Sequence, residues 1–91
     1  MTDAQLLINL GYKLEKADPN DDKPFRAILV EAQEVLQLQD STIARAFGTS
    51  LSTVKRWRNG TNAPHPAMIK AVYALFVKRM ESMVRKITEC A

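Results

Sequence analysis

Apolar residues recur at helical spacing in five stretches of the chain, and no stretch shows the two-residue alternation of a strand. In the first stretch leucines fall on one face, and in the second an apolar stripe runs from Phe25 to Leu36. In chain order, the predicted helices cover residues 3–17, 24–38, 40–47, 50–59 and 66 onward. The pattern therefore predicts an all-α protein, a bundle of five helices without a sheet.

Turn-forming residues separate these stretches. Residues 18–24 contain two prolines and three aspartates, which favour a loop. Gly48 is expected to end the third helix with a positive φ, and Ser50 is placed to cap the fourth, which ends near Gly60. Pro66 suits the first turn of the last helix. The positions of these turn-forming and capping residues thus support the same five helices.

Length and composition restrict the class of protein. A chain of 91 residues is expected to form one domain, residues 1–91, because two smaller pieces could not each bury a core. No apolar run approaches the roughly 20 residues that cross a bilayer, and Asp3 stands where an export signal carries positive charge. One cysteine, Cys90, and one histidine, His65, cannot supply a metal site. We expect a cytoplasmic protein with no metal, cofactor or membrane attachment.

The sequence also lacks the signals of an enzyme. No nucleophile, base and orienting group stand out together, and there is no glycine-rich phosphate loop. The charge distribution points elsewhere. Residues 1–39 carry a net charge of −3, whereas residues 40–60 and 61–91 carry +3 each. A basic second half is expected of a protein that binds a polyanion, although solvated helices are often equally basic.

Residues 40–60, DSTIARAFGTSLSTVKRWRNG, carry the most informative pattern. Two short helices can cross closely at a tight turn only where particular positions are small or apolar. Ala44 is small where the second helix passes, and Gly48 stands where the chain turns. The apolar side chains expected to meet between the two helices are Ile43, Phe47, Val54 and Trp57.

With these residues the chain resembles the lambda-repressor and Cro-like (XRE-type) helix-turn-helix family over about residues 25–76. The matching features are a preceding helix, the F-G-T-S turn, a second helix ending in W-R-N-G and a following amphipathic helix. The resemblance implies a compact helical bundle that places one helix in the major groove of duplex DNA, and most members are dimeric transcriptional regulators.

The chain departs from this family pattern at three points. An extra helix, residues 3–17, precedes the bundle, and the last helix is longer than usual. Asp40 stands where the family often has a glutamine that contacts a phosphate. Because a carboxylate cannot make that contact, we expect Asp40 to cap the third helix.

The helix predicted within residues 50–59 has a buried and an exposed side. At about 100° per residue, Val54 and Trp57 define the buried side, so we expect Trp57 to be a core residue and not a stacking partner for bases. The residues near the opposite side are Ser52, Lys55, Arg56 and Asn59. Arg56 can bond the O6 and N7 acceptors of guanine, and a flanking Leu51 can contact a thymine methyl group.

Predicted DNA contacts combine this geometry with the resemblance. The family's base-contacting positions match Leu51, Ser52 and Arg56, and its backbone-contacting positions match Thr49, Ser50 and Asn59. With the two neighbouring cations added, the predicted base contacts are Leu51, Ser52, Lys55 and Arg56, and the predicted backbone contacts are Thr49, Ser50, Arg58 and Asn59. Lys55 and Arg58 also fit solvated surface charges.

The last helix carries an apolar stripe with a seven-residue repeat, which predicts a homodimer through that helix. The predicted interface residues are Ile69, Tyr73, Phe76, Met80, Met83 and Ile87. In the alternative interpretation, the stripe folds back on the leucine face of residues 6–14 within one chain. A two-fold dimer would place two recognition helices about one DNA turn apart and require a palindromic operator.

Two classes of function remain open on the sequence. The first is sequence-specific binding of double-stranded DNA by a dimeric regulator of the repressor type, associated with the nucleoid. The second is a helical adaptor that uses the same exposed face to bind a protein. The basic stripe around Arg56 favours the first.

Overall fold

The computed structural model describes residues 3–90, with side chains described for residues 4–86. The helices are α1 (Asp3–Lys16), α2 (Phe25–Leu36), α3 (Asp40–Phe47), α4 (Leu51–Asn59) and α5 (Pro66–Cys90). No strand occurs within residues 3–90, so the all-α prediction is confirmed. Each helix begins within two residues of the expected position, and the first four end within two residues of it. Among these described helices, none has both the length and the apolar character needed to cross a membrane.

α2 ends at Leu36, two residues before the predicted position, and Gln37 caps it. This residue adopts the left-handed conformation, with φ 55° and ψ 46°, and its N–H bonds the carbonyls of Gln33 and Glu34. The next N–H, of Leu38, donates to the Gln33 carbonyl at 2.9 Å, and the Leu38 side chain turns back into the core. A glutamine gives no sequence signal for a left-handed cap, since glycine usually occupies that position.

α2 lies at the centre of the fold and packs against α1, α4 and α5, whereas α3 packs against α4. One apolar core runs through these contacts. The largest side chains that are fully buried are Phe25, Phe76, Leu10, Leu29, Ile43, Ile69, Val54 and Val72. All five of the described helices contribute to this set, so no helix is independent of the shared core.

α1 and α5 approach closely at a glycine. A Cβ atom added to Gly11 would lie 2.9 Å from the terminal methyl of Met80, so the absence of a side chain there makes room for α5. Leu7, Leu10 and Leu14, from the leucine face of α1, are buried in the core. Gly11 lowers the intrinsic stability of a helix by about 1 kcal/mol relative to alanine, and close packing against α5 offsets this cost.

The apolar stripe of α5 packs inside its own chain. Ile69, Tyr73 and Phe76 are buried in the core, and Met80 and Met83 pack against it half-buried. Three of the residues predicted to form a dimer interface are therefore not on the surface of this fold. The alternative, in which the stripe folds back within one chain, describes their placement, because α1 packs against α5. α2 also covers this face, with Phe25 against Tyr73. The sixth position, Ile87, lies outside the described side chains, as does Cys90.

Tyr73 functions as an apolar residue of this core. Its ring lies 6.0 Å from that of Phe25, and its hydroxyl is buried without a hydrogen-bond partner among the described residues. Burial raises the pKa of the Tyr73 hydroxyl, and the negative charge of Asp21 raises it further. Both effects keep the phenol neutral at ordinary pH, and the neutral form is the one that burial favours.

We predict that Trp57→Ala lowers the free energy of unfolding by about 3–5 kcal/mol, because removal of a large buried side chain leaves a cavity. Trp57 is 5% exposed and meets Phe25 edge to face, with ring centroids 6.1 Å apart. Urea denaturation measures the loss. Tyr12→Ala is the matched control, because that aromatic side chain is 62% exposed and its loss should change stability by no more than about 0.5 kcal/mol. Equal stability of Trp57→Ala and the parent would contradict the assignment of Trp57 to the core.

Candidate nucleic-acid interface

A tight turn connects α3 to α4. Gly48 follows α3 with φ 63° and ψ 30°, and its N–H bonds the carbonyls of Ala44 and Arg45. The N–H of Thr49 then donates to the Ala44 carbonyl at 2.9 Å, which completes the helix end. The positive φ predicted for Gly48 is confirmed. Any other L-residue would be strained in this conformation.

Ser50 caps α4 as predicted. It has an extended conformation, and its Oγ accepts a hydrogen bond from the Thr53 N–H at 3.2 Å. The same hydroxyl lies 2.8 Å from the Thr53 Oγ1 and 3.1 Å from the Ser52 Oγ. The start of α4 therefore carries a cluster of three hydroxyl groups whose bonds also satisfy the helix terminus. Thr49, just before it, is half-buried.

The inner faces of α3 and α4 form the junction that the sequence pattern predicts. Ile43 and Val54 are fully buried, Ala44 and Trp57 nearly so, and Phe47 packs half-buried against them. Phe25 of α2 completes this junction through its edge-to-face contact with Trp57. The burial of Trp57 is confirmed, and because the ring lies in the core it is not a stacking platform on the surface.

The outer face of α4 is exposed along its whole length. Leu51, at the start of the helix, is 44% exposed. The other exposed residues of this face are Ser52, Lys55, Arg56 and Asn59. Ser52 and Arg56 are four residues apart and share one line along the helix. The structure thus places all four predicted base-contacting residues, and Asn59, on the surface.

Asp40 and Arg58 differ from their expected roles. Asp40 is the first residue of α3; the cap position is Gln39, which makes no side-chain capping bond. The expectation that Asp40 caps α3 is therefore wrong. Its Oδ1 instead accepts hydrogen bonds from Gln33 Nε2 at 2.7 Å and from Arg58 Nη1 at 3.3 Å. The guanidinium of Arg58, expected to contact the DNA backbone, is engaged within the protein.

Arg26 of α2 holds the far end of α4, which the sequence did not indicate. Its Nε donates to the Arg58 carbonyl at 2.7 Å, an orphan acceptor at the end of the helix. Gly60, with φ 76°, ends α4, and a Cβ atom there would lie 3.0 Å from the Arg26 Cδ. No local spacing predicts this contact, because 32 residues separate donor and acceptor.

A groove of about 450 Å³ lies beside α4 where α2, α3 and α4 meet. Its lining residues are Arg26, Val30, Asp40, Lys55, Arg58 and Asn59. Three of these are cations and one is an anion, and Lys55 and Asn59 belong also to the exposed face of α4. The groove is therefore a positively charged border of that face.

Among the side chains that the structure describes, no group of three or more His, Cys, Asp or Glu is placed to hold a metal ion. Comparisons of the chain with family models, curated proteins and solved structures found no match. The function must accordingly be argued from the chemistry of the exposed face of α4 and of the groove beside it.

We predict that Gly48→Ala lowers the free energy of unfolding by about 1–2 kcal/mol, the usual cost of the left-handed conformation for an L-residue. Nothing lies within 4 Å of a Cβ atom added at Gly48, so the loss reports backbone strain and not a clash. Chemical denaturation of Gly48→Ala and of Gly48→Asn measures it. Asparagine adopts this conformation more readily and should cost less. An alanine variant as stable as the parent would contradict the strained turn.

Proposed function

We propose that this chain binds double-stranded DNA in a sequence-specific manner, with α3 and α4 as a helix-turn-helix and α4 as the helix that enters the major groove. The observation that carries the proposal is the two-sided character of α4. Val54 and Trp57 anchor its inner face, while its outer face presents Ser52, Lys55 and Arg56 to solvent. A rigidly anchored helix with an exposed cationic face fits the width of the major groove.

Each exposed side chain of α4 suits a particular DNA group. Arg56 carries a planar fork of donors that can bond the O6 and N7 atoms of one guanine, and Ser52 can donate to or accept from several bases. Leu51 offers an exposed methyl surface for a thymine methyl group. These interactions would distinguish base pairs, because each one depends on a pattern found only in the major groove.

Contacts to phosphates would fix the position of the helix. Lys55 and Asn59 lie at the border of the exposed face, next to the basic groove. The hydroxyl of Ser50 and the neighbouring Thr49 stand at the start of α4, where the helix dipole favours an anion. Such contacts supply affinity without sequence information.

We predict that Arg56→Ala weakens binding to the preferred duplex by roughly 1–3 kcal/mol and relaxes the preference at one base pair. The preferred duplex is first selected from a random pool, and fluorescence anisotropy then measures the affinity. Lys55→Ala is the matched control, because the loss of a phosphate contact should weaken all sequences alike and reduce the salt dependence. An Arg56→Ala variant that binds its selected site as tightly as the parent would show that the reading face is misassigned.

Binding to random duplex at moderate salt distinguishes this proposal from the alternative, a protein-binding adaptor that uses the same face. A DNA-binding face gives measurable affinity for random duplex at roughly 50–100 mM salt, since phosphates dominate nonspecific binding. If the parent protein showed no such binding at high micromolar concentration, the DNA-binding proposal would fail. The exposed face would then be assigned to a protein partner.

We further propose that the protein acts on nucleoid DNA as a regulator of the repressor type, with two copies on one palindromic operator. One helix of nine residues contacts few base pairs, so two recognition helices about 34 Å apart give the needed discrimination. Because Ile69, Tyr73 and Phe76 are used inside one chain, the two copies would have to meet through other residues.

We expect the saturated complex with the selected duplex to contain two chains of 10.2 kDa each. Light scattering during size exclusion measures this stoichiometry directly. A complex that saturates with a single chain, on a selected site without two-fold symmetry, would refute the paired arrangement while leaving DNA binding by α4 intact.

A further inference from the structure

The groove beside α4 contains its own anion. Of the residues that line it, Arg26, Lys55 and Arg58 are cationic and Asp40 alone is anionic. The Asp40 carboxylate stands 3.3 and 3.4 Å from the Arg58 Nη1 through its two oxygens. A phosphate approaching this border of α4 would meet a cation that is already paired.

Asp40 is held firmly in this position. Its side chain is 15% exposed, and Gln33 Nε2 donates to its Oδ1 at 2.7 Å. Gln33 is itself buried and donates also to the Leu38 carbonyl. If the carboxylate swung away from Arg58, the buried Gln33 amide would lose the shorter of its two hydrogen bonds, which is costly.

Arg58, in contrast, remains accessible. Its side chain is 42% exposed, and its carbonyl is fixed by the Arg26 Nε at 2.7 Å. The backbone at Arg58 is therefore held beside the groove independently of Asp40. Without the carboxylate, the groove would offer a third unpaired cation beside Arg26 and Lys55.

We propose that Asp40 lowers the affinity of this surface for duplex DNA of any sequence by retaining Arg58. This inference rests on the proposed function of α4. Nonspecific affinity comes almost entirely from phosphate contacts, whereas specific affinity adds base contacts by residues such as Arg56. A carboxylate that removes one phosphate contact and repels the backbone weakens both kinds of complex by the same factor, so Asp40 sets the overall affinity and its salt dependence. The preference among sequences is left to the base contacts of α4.

The test is Asp40→Asn, measured by fluorescence anisotropy on a random-sequence duplex across a salt series. Asparagine keeps an oxygen that can accept from Gln33, so the fold is retained, and Asp40→Ser supplies a second neutral variant. We expect severalfold tighter binding to the random duplex and a salt slope steeper by about 0.9, the value for one added phosphate contact. Affinity for the selected duplex should rise by the same factor, which leaves the ratio of selected to random affinity unchanged.

Two controls isolate the mechanism. Glu15→Gln removes the same charge from an exposed position on α1, which does not contact α4 within the described residues, and should leave the salt slope unchanged. Arg58→Gln should weaken random-duplex binding more in the Asp40→Asn background than in the parent, since only there is the guanidinium released.

The outcomes separate this inference from the proposed function. Binding by the parent to random duplex, together with neutral Asp40 variants that melt as the parent does but bind no more tightly, would overturn the role of Asp40 alone. Equal effects of Arg58→Gln in both backgrounds would do the same. An absence of duplex binding by the parent and by every variant would overturn the proposed function and this inference together.

Discussion

The fold depends above all on the packing of α4 against α2 through Trp57 and Phe25. A helix of nine residues is too short to be stable alone in water, so its existence requires tertiary contacts. The edge-to-face contact of the two rings, with Val54 fully buried nearby, supplies them. This anchoring also decides which residues of α4 remain outside. The exposed face that we propose to bind DNA is a consequence of the buried one.

Polar contacts add to the apolar core in holding α4 in place. The core fixes α4 from its inner side, while Arg26 binds the carbonyl at its end and Asp40 binds the Arg58 guanidinium beside it. Arg26, Asp40 and Arg58 belong to three different helices. The two polar contacts among them therefore join α2, α3 and α4 at one groove. The resemblance to helix-turn-helix regulators implied a phosphate contact at the start of α3. The carboxylate of Asp40 faces inward to Gln33 and Arg58 instead, so the departure from that family pattern has a structural use.

The N-terminal helix α1 and the long final helix α5 pack against each other. Both are departures from the pattern of the family that the sequence resembles. The leucine face of α1 and the apolar stripe of α5 meet in one core, with Gly11 leaving space for Met80. Burial of Ile69, Tyr73 and Phe76 within one chain removes them from any contact with a second copy. A seven-residue repeat identifies a buried stripe, but the same repeat serves a partner helix from the same chain or from another.

The sequence by itself determined the helices, the turn at Gly48, the cap at Ser50 and the burial of Trp57, because spacing and turn chemistry act over a few residues. It also placed Ser52, Lys55 and Arg56 together on the exposed side of α4, since helical geometry fixes relative directions. Only the tertiary structure decided the partners of Asp40, Arg58 and Arg26, because those bonds join residues of different helices, 7 to 32 positions apart. It likewise decided that the α5 stripe is covered by α1 and α2 of the same chain, since periodicity shows that a face is buried but not what buries it.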